Sequence, residues 1–273
     1  MTAPLRLAYS PCPNDTYIFG ALANGWLSDA PVVDVTLADV EALNRAALDG
    51  KYDVSKVSYA ILPELSSHYR LLRSGGALGH NCGPLVVARP GKARTLDDLR
   101  QATIAIPGVW TTAYLLLRMA LQPQGTMKEM RFDRIASAVA TGAADAGLII
   151  HEARFTFQNS GLIQIADLGE WWGRETELPL PLGAIVARRD LPSERLAQVE
   201  NAIRSSLQFA YRHDEQVLDY VRRSTNETDE VIRKHIALYV NDFSDDLGSD
   251  GEAAVEALLT RGGQLKRLTA PFA

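Results

Sequence analysis

The sequence predicts an α/β protein built from two lobes. Two strand-like segments of similar composition, residues 83–89 and 182–188, both end in Ala-Arg and are followed within a few residues by a proline. Both combine small and β-branched residues, which is typical of strands, and we interpret them as the two crossovers between lobes. The prediction is a first α/β lobe of residues 1–89 and 182–273, with an inserted α/β lobe of residues 90–181.

The first lobe opens with a predicted strand over residues 5–9. Two prolines exclude both helix and ladder pairing from the loop that follows, residues 10–15. Asn14 or Asp15 is then expected to cap a helix over residues 16–24, because short polar side chains accept bonds from the first helical N–H groups. The next elements are predicted in this order: a helix over 40–49 capped by Asp39, a strand over 53–58, a helix from Pro63 towards Leu72, and a flexible glycine-rich loop over 74–81.

The inserted lobe repeats this order of parts. A short helix capped by Thr95, a strand over 103–106 and a helix over 113–121 precede a helix over 135–141 and the strand that leads to His151. The spacing Gly50-x-x-Asp53 recurs as Gly142-x-x-Asp145, although helix-glycine-strand is common enough to arise by chance. The remaining segment is predicted to be helical over 193–212, 215–223, 228–239 and 251–260, with Thr228 as the cap of the third of these helices and a turn at 241–244.

Composition excludes several classes of protein. With 273 residues, of which 47% are hydrophobic, the chain can bury a core. A net charge of -5 and scattered basic residues lack the footprint of a nucleic-acid-binding protein. The first residues show no export signal, and no apolar run reaches the roughly 18 residues of a membrane span, so we expect a cytoplasmic protein without membrane contact. The oligomeric state is left open.

Metal, disulfide and phosphate-loop sites are not expected. The five histidines lack a carboxylate or thiol at ligand spacing, and Cys12 and Cys82 are far apart without a CxxC pattern. There is neither a P-loop nor a GxGxxG pattern. His213 and His235 lie in charged helical sequence, where solvated side chains are expected. We therefore predict no metal and no cofactor.

His151 is the best single candidate for a general base. It follows the aliphatic run 148–150, which predicts a buried strand, and parallel strands present ligand-binding groups at their carboxyl ends. An imidazole exchanges protons near neutral pH. The simpler alternative is a histidine that only caps the strand by a hydrogen bond to backbone.

Other polar residues fall at similar strand and helix ends. Thr111 and Thr112 precede a helix and bring two hydroxyls and free N–H groups together, although capping alone would also explain them. Lys56 and Ser58 alternate on one strand and face the same side. Together they form a predicted anion clamp opposite His151. Cys12 lies at a helix start but between two prolines and without an evident partner base, which argues against a nucleophile.

Six segments resemble the 1,4-dihydroxy-6-naphthoate synthases of the futalosine route to menaquinone. They are residues 10–19 (SPCPNDTYIF), 56–59 (KVSY), 73–79 (RSGGALG), 111–114 (TTAY), 147–155 (GLIIHEARF) and 178–183 (LPLPLG). The resemblance covers nearly the whole chain, and the first and fifth segments are long enough to be specific.

This resemblance implies a two-lobed fold like that of type 2 periplasmic binding proteins. It also implies a carbon–carbon lyase that converts cyclic dehypoxanthine futalosine, a small carboxylate, into 1,4-dihydroxy-6-naphthoate. His151 occupies the position of the family's proton acceptor. The substrate-contacting positions match Lys56, Val57, Ser58, Thr111 and Thr112, and the loop residues Asn14 and Asp15 are candidates for further contacts.

Two alternatives remain open at this point. A cytoplasmic binding protein for a small acid would share the fold, since fold alone does not specify function. Chorismate dehydratase, an enzyme of the same pathway, shares it too. The loop at residues 10–15 and the segment around His151 favour the synthase.

Overall fold

The computed structural model describes residues 3–263. Its strands are β1 (Leu5–Tyr9), β2 (Val33–Leu37), β3 (Val54–Ser58), β4 (Tyr69–Leu71), β5 (Ala77–Gly79), β6 (Leu85–Ala88), β7 (Ile104–Ile106), β8 (Met127–Glu129), β9 (Ala146–Ile149), β10 (Ile163–Asp167) and β11 (Leu180–Arg188).

Within these residues the strands form one six-stranded and one five-stranded sheet, both mixed. The first sheet has the order β2-β1-β3-β11-β4, with β5 also paired to β11. The second has the order β10-β6-β9-β7-β8. Strands β1, β2 and β3 run parallel to one another, as do β7, β8 and β9.

The helices are α1 (Pro13–Ala23), α2 (Val40–Leu48), α3 (Leu62–Leu65), α4 (Thr112–Leu121), α5 (Ile135–Ala140), α6 (Ala153–Thr156), α7 (Leu168–Thr176), α8 (Ser193–Arg212), α9 (Asp214–Ser224), α10 (Asp229–Tyr239), α11 (Asp242–Asp245) and α12 (Gly248–Arg261). Short 3-10 helices cover Tyr59–Ile61, Asp97–Leu99, Phe132–Arg134 and Phe157–Ser160. None of the helices in residues 3–263 is long and apolar enough to cross a membrane.

One hydrophobic core cluster extends across both sheets. It joins buried side chains of the first sheet, such as Val57 and Val186, to Val86 and Leu148 of the second sheet and to Trp172 of α7. A separate cluster packs α1, α8 and α9 on the other side of the first sheet. Burial of apolar area on this scale is the main stabilising term of such a fold, and the shared cluster packs the two sheets against each other.

Three predicted caps are present. Asp39 accepts hydrogen bonds from the N–H groups of Glu41 and Ala42, and Thr111 and Thr228 each accept one at the start of α4 and α10. The predicted cap of α1 is wrong, because this helix begins at Pro13 with Cys12 before it and no side-chain cap bond. Proline suits the first helical position, since its missing N–H would have had no partner there.

Several predicted elements differ from the structure. Residues 63–72 are not one helix: α3 ends at Leu65, and Tyr69–Leu71 is a strand paired with β11, because edge-strand pairing overrides the local helical pattern. The supposed flexible loop at 74–81 contains β5. The predicted turn at 241–244 is mostly α11, which starts with a capping box at Asn241. The end of the chain beyond residue 263 lies outside the described residues.

The crossover strands also differ from expectation. Strand β11 belongs to the first sheet, as expected, but β6 pairs with β9 and β10 in the second sheet. The expected boundary at residue 89 left this strand in the first lobe. The two segments look alike because both are buried strands, and composition does not reveal which sheet a buried strand joins. The division of the chain into lobes stays a prediction.

Candidate active site

A cavity lies at the carboxyl ends of β1, β3 and the strand β9. Its empty space, including the open mouth, is about 660 Å³. Its polar lining comes from elements of both sheets and comprises Ser10, Asn14, Asp15, Lys56, Ser58, Thr111, Thr112, His151, His235 and Tyr239. The topology therefore brings together all but one of the residues predicted from the sequence to bind substrate or accept a proton.

His151 follows β9 with its backbone in the left-handed region, at φ 57°. Non-glycine residues rarely adopt this conformation, and such strain is concentrated at functional sites. The Nδ1 atom of the ring lies 3.2 Å from Sγ of Cys12, and the ring meets Phe132 edge-on with 4.7 Å between centroids. The Nε2 atom is shielded from solvent and has no hydrogen-bond partner among residues 3–263.

The His151 imidazole is neutral at pH 7. Burial lowers its pKa from the usual 6.5 to about 4. The nearby Asp15 carboxylate acts against this shift, and the Lys56 ammonium adds to it. A neutral ring has one nitrogen with a free lone pair, so His151 is in the form that a general base requires.

The loop before α1 forms a buried ion pair with β3. Asp15 lies 2.8 Å from Nζ of Lys56, and both side chains are almost fully buried. The Asp15 carboxylate also accepts hydrogen bonds from the Ser10 hydroxyl at 2.7 Å and from the Asn14 amide at 2.9 Å. The charge of Lys56 is thus already neutralised within the protein, which was not evident from its place on an alternating strand.

The start of α4 forms another part of the wall. The Thr111 hydroxyl donates to the Gly108 carbonyl at 2.8 Å and accepts from the N–H of Tyr114, and the Thr112 hydroxyl donates to the Leu182 carbonyl at 2.9 Å. Both hydroxyl protons therefore bind the protein itself. The backbone N–H groups of Thr112 and Ala113 have no partner among residues 3–263 and remain available to an anion.

Ser58 and Val57 occupy opposite faces of β3. The Ser58 hydroxyl lines the cavity and accepts a hydrogen bond from the Asn44 amide at 3.1 Å, which leaves its own proton free to donate. The Val57 side chain points into the hydrophobic core and is fully buried. Strand alternation makes this unavoidable, so the structure does not bring the Val57 side chain to the cavity.

Cys12 is adjacent to His151 but poorly suited to nucleophilic attack. Burial, together with the nearby Glu152 and Asp15 carboxylates, raises the pKa of its thiol well above the usual value. Glu152 is itself buried, which raises its pKa to about 7. The thiol therefore stays protonated and serves as a hydrogen-bond partner. Cys82, a further residue of the cavity wall, is likewise a free, buried thiol.

The expectation that His235 is solvated is wrong. Its side chain is 1% exposed and lines the cavity, with Tyr239 one helical turn further on. Ile232, His235 and Tyr239 share one buried face of α10. Their i, i+3, i+7 spacing is the signal that could have placed His235 on the inner side despite its charged neighbours.

The described residues contain no group of three or more His, Cys, Asp or Glu side chains that could hold a metal ion.

Comparison with known proteins gives a match over almost the whole chain. The model of a family described as menaquinone biosynthesis matches residues 5–264. The chain belongs to this menaquinone biosynthesis family. A curated relative from Thermus thermophilus, named 1,4-dihydroxy-6-naphthoate synthase, is 49% identical over 269 residues, covering 98% of this chain and 96% of the relative. A protein of the same name from Streptomyces coelicolor is 48% identical, covering 94% of this chain and 92% of the relative.

Solved structures agree with the fold of this member of the menaquinone biosynthesis family. A protein from Archaeoglobus fulgidus superposes with a TM-score of 0.90 at 33% identity, covering 96% of this chain and 98% of its own. The alkanesulfonate-binding protein of Xanthomonas axonopodis pv. citri gives a TM-score of 0.73 at 17% identity, covering 98% and 96%, which shows the fold alone. The expected family and the two-lobed, type 2 periplasmic-binding-protein-like fold are both confirmed, and the curated relatives are enzymes.

Proposed function

We propose that this chain is a 1,4-dihydroxy-6-naphthoate synthase, a lyase that acts on cyclic dehypoxanthine futalosine. The observation that carries the proposal is the neutral His151 ring, which lines a cavity that also offers hydrogen-bond donors to an acid and whose Nε2 has no hydrogen-bond partner among residues 3–263. Sequence identity of 49% and 48% to two enzymes of that name, over nearly the full length of the chain, supports the same reaction.

The substrate carboxylate would bind at the start of α4. Two backbone N–H groups without protein partners, those of Thr112 and Ala113, lie there beside the Ser58 hydroxyl. The positive end of the helix dipole adds to this attraction. The Thr111 and Thr112 hydroxyls would act mainly by holding this turn in place, because their protons bind Gly108 and Leu182.

His151 would act as the proton acceptor. Removing a proton from the bound substrate leaves an electron pair that can break the carbon–carbon bond to the sugar-derived part, and formation of the aromatic ring drives this step. The proton held by the imidazole can return to the departing fragment, so the chemistry balances without an oxidant. Closure of both lobes around the substrate would keep water from the intermediate.

Cys12 would select the tautomer of the neutral His151 ring. If Nδ1 carries the proton and donates it to Sγ at 3.2 Å, Nε2 is left with the lone pair that accepts the substrate proton. A hydrogen-bond partner for one ring nitrogen commonly decides which of the two nitrogens carries the proton. We also propose that the reaction takes place in the cytoplasm and uses no bound cofactor.

Turnover by the purified full-length protein tests the proposal. Cyclic dehypoxanthine futalosine is supplied, and the dihydroxynaphthoate is followed by its absorbance and identified by mass. We expect steady conversion, with none of the corresponding dehydration when chorismate is supplied instead. Binding of the cyclic substrate without any product would favour a binding protein, and turnover of chorismate would favour the dehydratase.

A further inference from the structure

His235 is a buried polar side chain with nothing to bind. Its ring is 1% exposed, and neither Nδ1 nor Nε2 has a hydrogen-bond partner among residues 3–263. Leaving two buried polar atoms unpaired costs stability, so such groups normally have a protein, water or ligand partner. Because the side chain lines the cavity, the missing partner is expected to be the molecule that binds there.

The ring is held in a fixed orientation by aromatic neighbours. Tyr239 lies 4.6 Å from its centroid on the same helix, and Phe155, which lies in α6 beyond β9, meets it edge-on at 6.3 Å. These two contacts restrict rotation of the ring. The two nitrogens are therefore positioned in advance for a ligand that enters the cavity, which reduces the entropy lost on binding.

The ring is also uncharged. Burial lowers the pKa of His235 well below its usual value, and the neighbouring His151 and Lys56 lower it further. A neutral imidazole offers one N–H donor and one lone pair, which is the complement of a hydroxyl group. It does not offer the positive charge that a carboxylate would prefer.

The surroundings do not favour a metal ion. Among residues 3–263 His235 is not part of any group of three possible metal ligands. A ligand with neutral polar groups is the better match for two unpaired nitrogens of an uncharged ring.

We propose that His235 recognises a hydroxyl of the sugar-derived part of the substrate and so acts as a specificity-determining residue. The inference rests on the proposed function. It divides the cavity into two ends: the start of α4 and Ser58 hold the aryl carboxylate, and α10 of the C-terminal segment holds the part that leaves. A site built to pair with a hydroxyl discriminates strongly against ligands that lack one, because its own polar atoms are then left unpaired.

The product provides the discriminating probe, since 1,4-dihydroxy-6-naphthoate keeps the carboxylate but lacks the sugar-derived part. His235→Phe keeps a ring of similar size without polar atoms, and His235→Gln keeps one donor and one acceptor. Substrate affinity is measured by calorimetry in a His151→Ala background that prevents turnover, and product affinity is measured in the same proteins. Circular dichroism and the unfolding temperature establish that each variant is folded.

We expect His235→Phe to weaken substrate binding by about ten- to a hundredfold while product binding changes less than about twofold. His235→Gln should recover most of the loss. In the background that retains His151, the effect should appear in KM with kcat little changed, as for an interaction made equally in the ground and transition states.

An equal loss of affinity for substrate and product, or no loss for either, would overturn the assignment. If His235→Phe does not fold, a substrate analogue that lacks the hydroxyls of the sugar-derived part provides the test instead. The analogue must bind the wild-type chain more weakly than the substrate does, and equal affinity of the two ligands would overturn the assignment. These outcomes are distinct from failure of the proposed function, in which the wild-type chain forms no dihydroxynaphthoate at all.

Discussion

Replacing Asp15 with asparagine should destabilise the protein far more than loss of a surface ion pair. The Lys56 and Asp15 side chains are only 6% and 3% exposed, so solvent does little to screen the charge that remains on Lys56. Removing one partner of a buried pair costs roughly 3 to 5 kcal/mol. The Gly75 carbonyl, 3.3 Å from Nζ, still accepts a hydrogen bond from Lys56, which favours the lower end of this range.

The loss of unfolding free energy can be measured by urea unfolding, and thermal unfolding reports it as a fall in Tm. A cost of about 3 kcal/mol corresponds to a fall of about 6 to 12 °C in Tm for a chain of this size. Asp97→Asn is the matched control, because it breaks an ion pair to Arg100 whose side chains are 78% and 40% exposed and whose loss should cost at most about 1 kcal/mol. The double variant Asp15→Asn, Lys56→Met should recover part of the stability, since no unpaired charge is left.

The cost should also persist in high salt, because a buried pair is hardly screened by ions. An equal loss of stability in Asp15→Asn and Asp97→Asn, or removal of the difference between them by 1 M salt, would show that the Asp15–Lys56 pair is screened like a surface pair.

Further predictions concern titration and the tautomer of the base. Because the pKa of His151 is lowered to about 4, kcat/KM should hold its plateau from pH 7 down to about pH 5; an acid limb near 6.5 in a pH–rate profile would contradict this. Cys12→Ala should lower kcat about tenfold, and Cys12→Ser should retain more activity than Cys12→Ala; equal activity of the two variants would argue against the Nδ1 hydrogen bond. Glu41 of α2 accepts a hydrogen bond from the N–H of Trp110, and burial raises the pKa of its carboxyl from the usual 4.5 to about 7. The contribution of Glu41 to stability is therefore present below pH 4.5 and is lost as pH rises through 7. Chemical unfolding of Glu41→Gln should therefore show a smaller fall in stability than the wild type over this window.

Local sequence signals predicted much of the fold. The caps at Asp39, Thr111 and Thr228 and the strand leading to His151 depend on short-range hydrogen bonding and on runs of apolar residues, which are visible in the sequence. Tyr69–Leu71 could not be found in this way, since this short strand exists because β11 pairs with it.

The same distinction applies to the candidate site. Lys56 and Ser58 could be placed on one face by strand alternation, which also places the Val57 side chain in the core. The contact of Cys12 with His151, 139 positions apart, and the burial of His235 depend on how the second sheet and α10 pack. The Cys12–His151 contact has no local signature in the sequence, whereas the helical spacing of Ile232, His235 and Tyr239 indicates a buried face of α10 but not the cavity that this face lines.

The most direct test of the account is a single-turnover measurement on His151→Gln. The purified enzyme is mixed in excess with the cyclic substrate, and substrate affinity is measured separately. We expect the rate of dihydroxynaphthoate formation to fall by about a hundredfold or more, with substrate affinity changed only a few-fold. His68→Gln, which changes an exposed histidine outside the cavity, should match the wild type. A His151→Gln variant that forms product at more than about half the wild-type rate would contradict the assignment of His151 as the base.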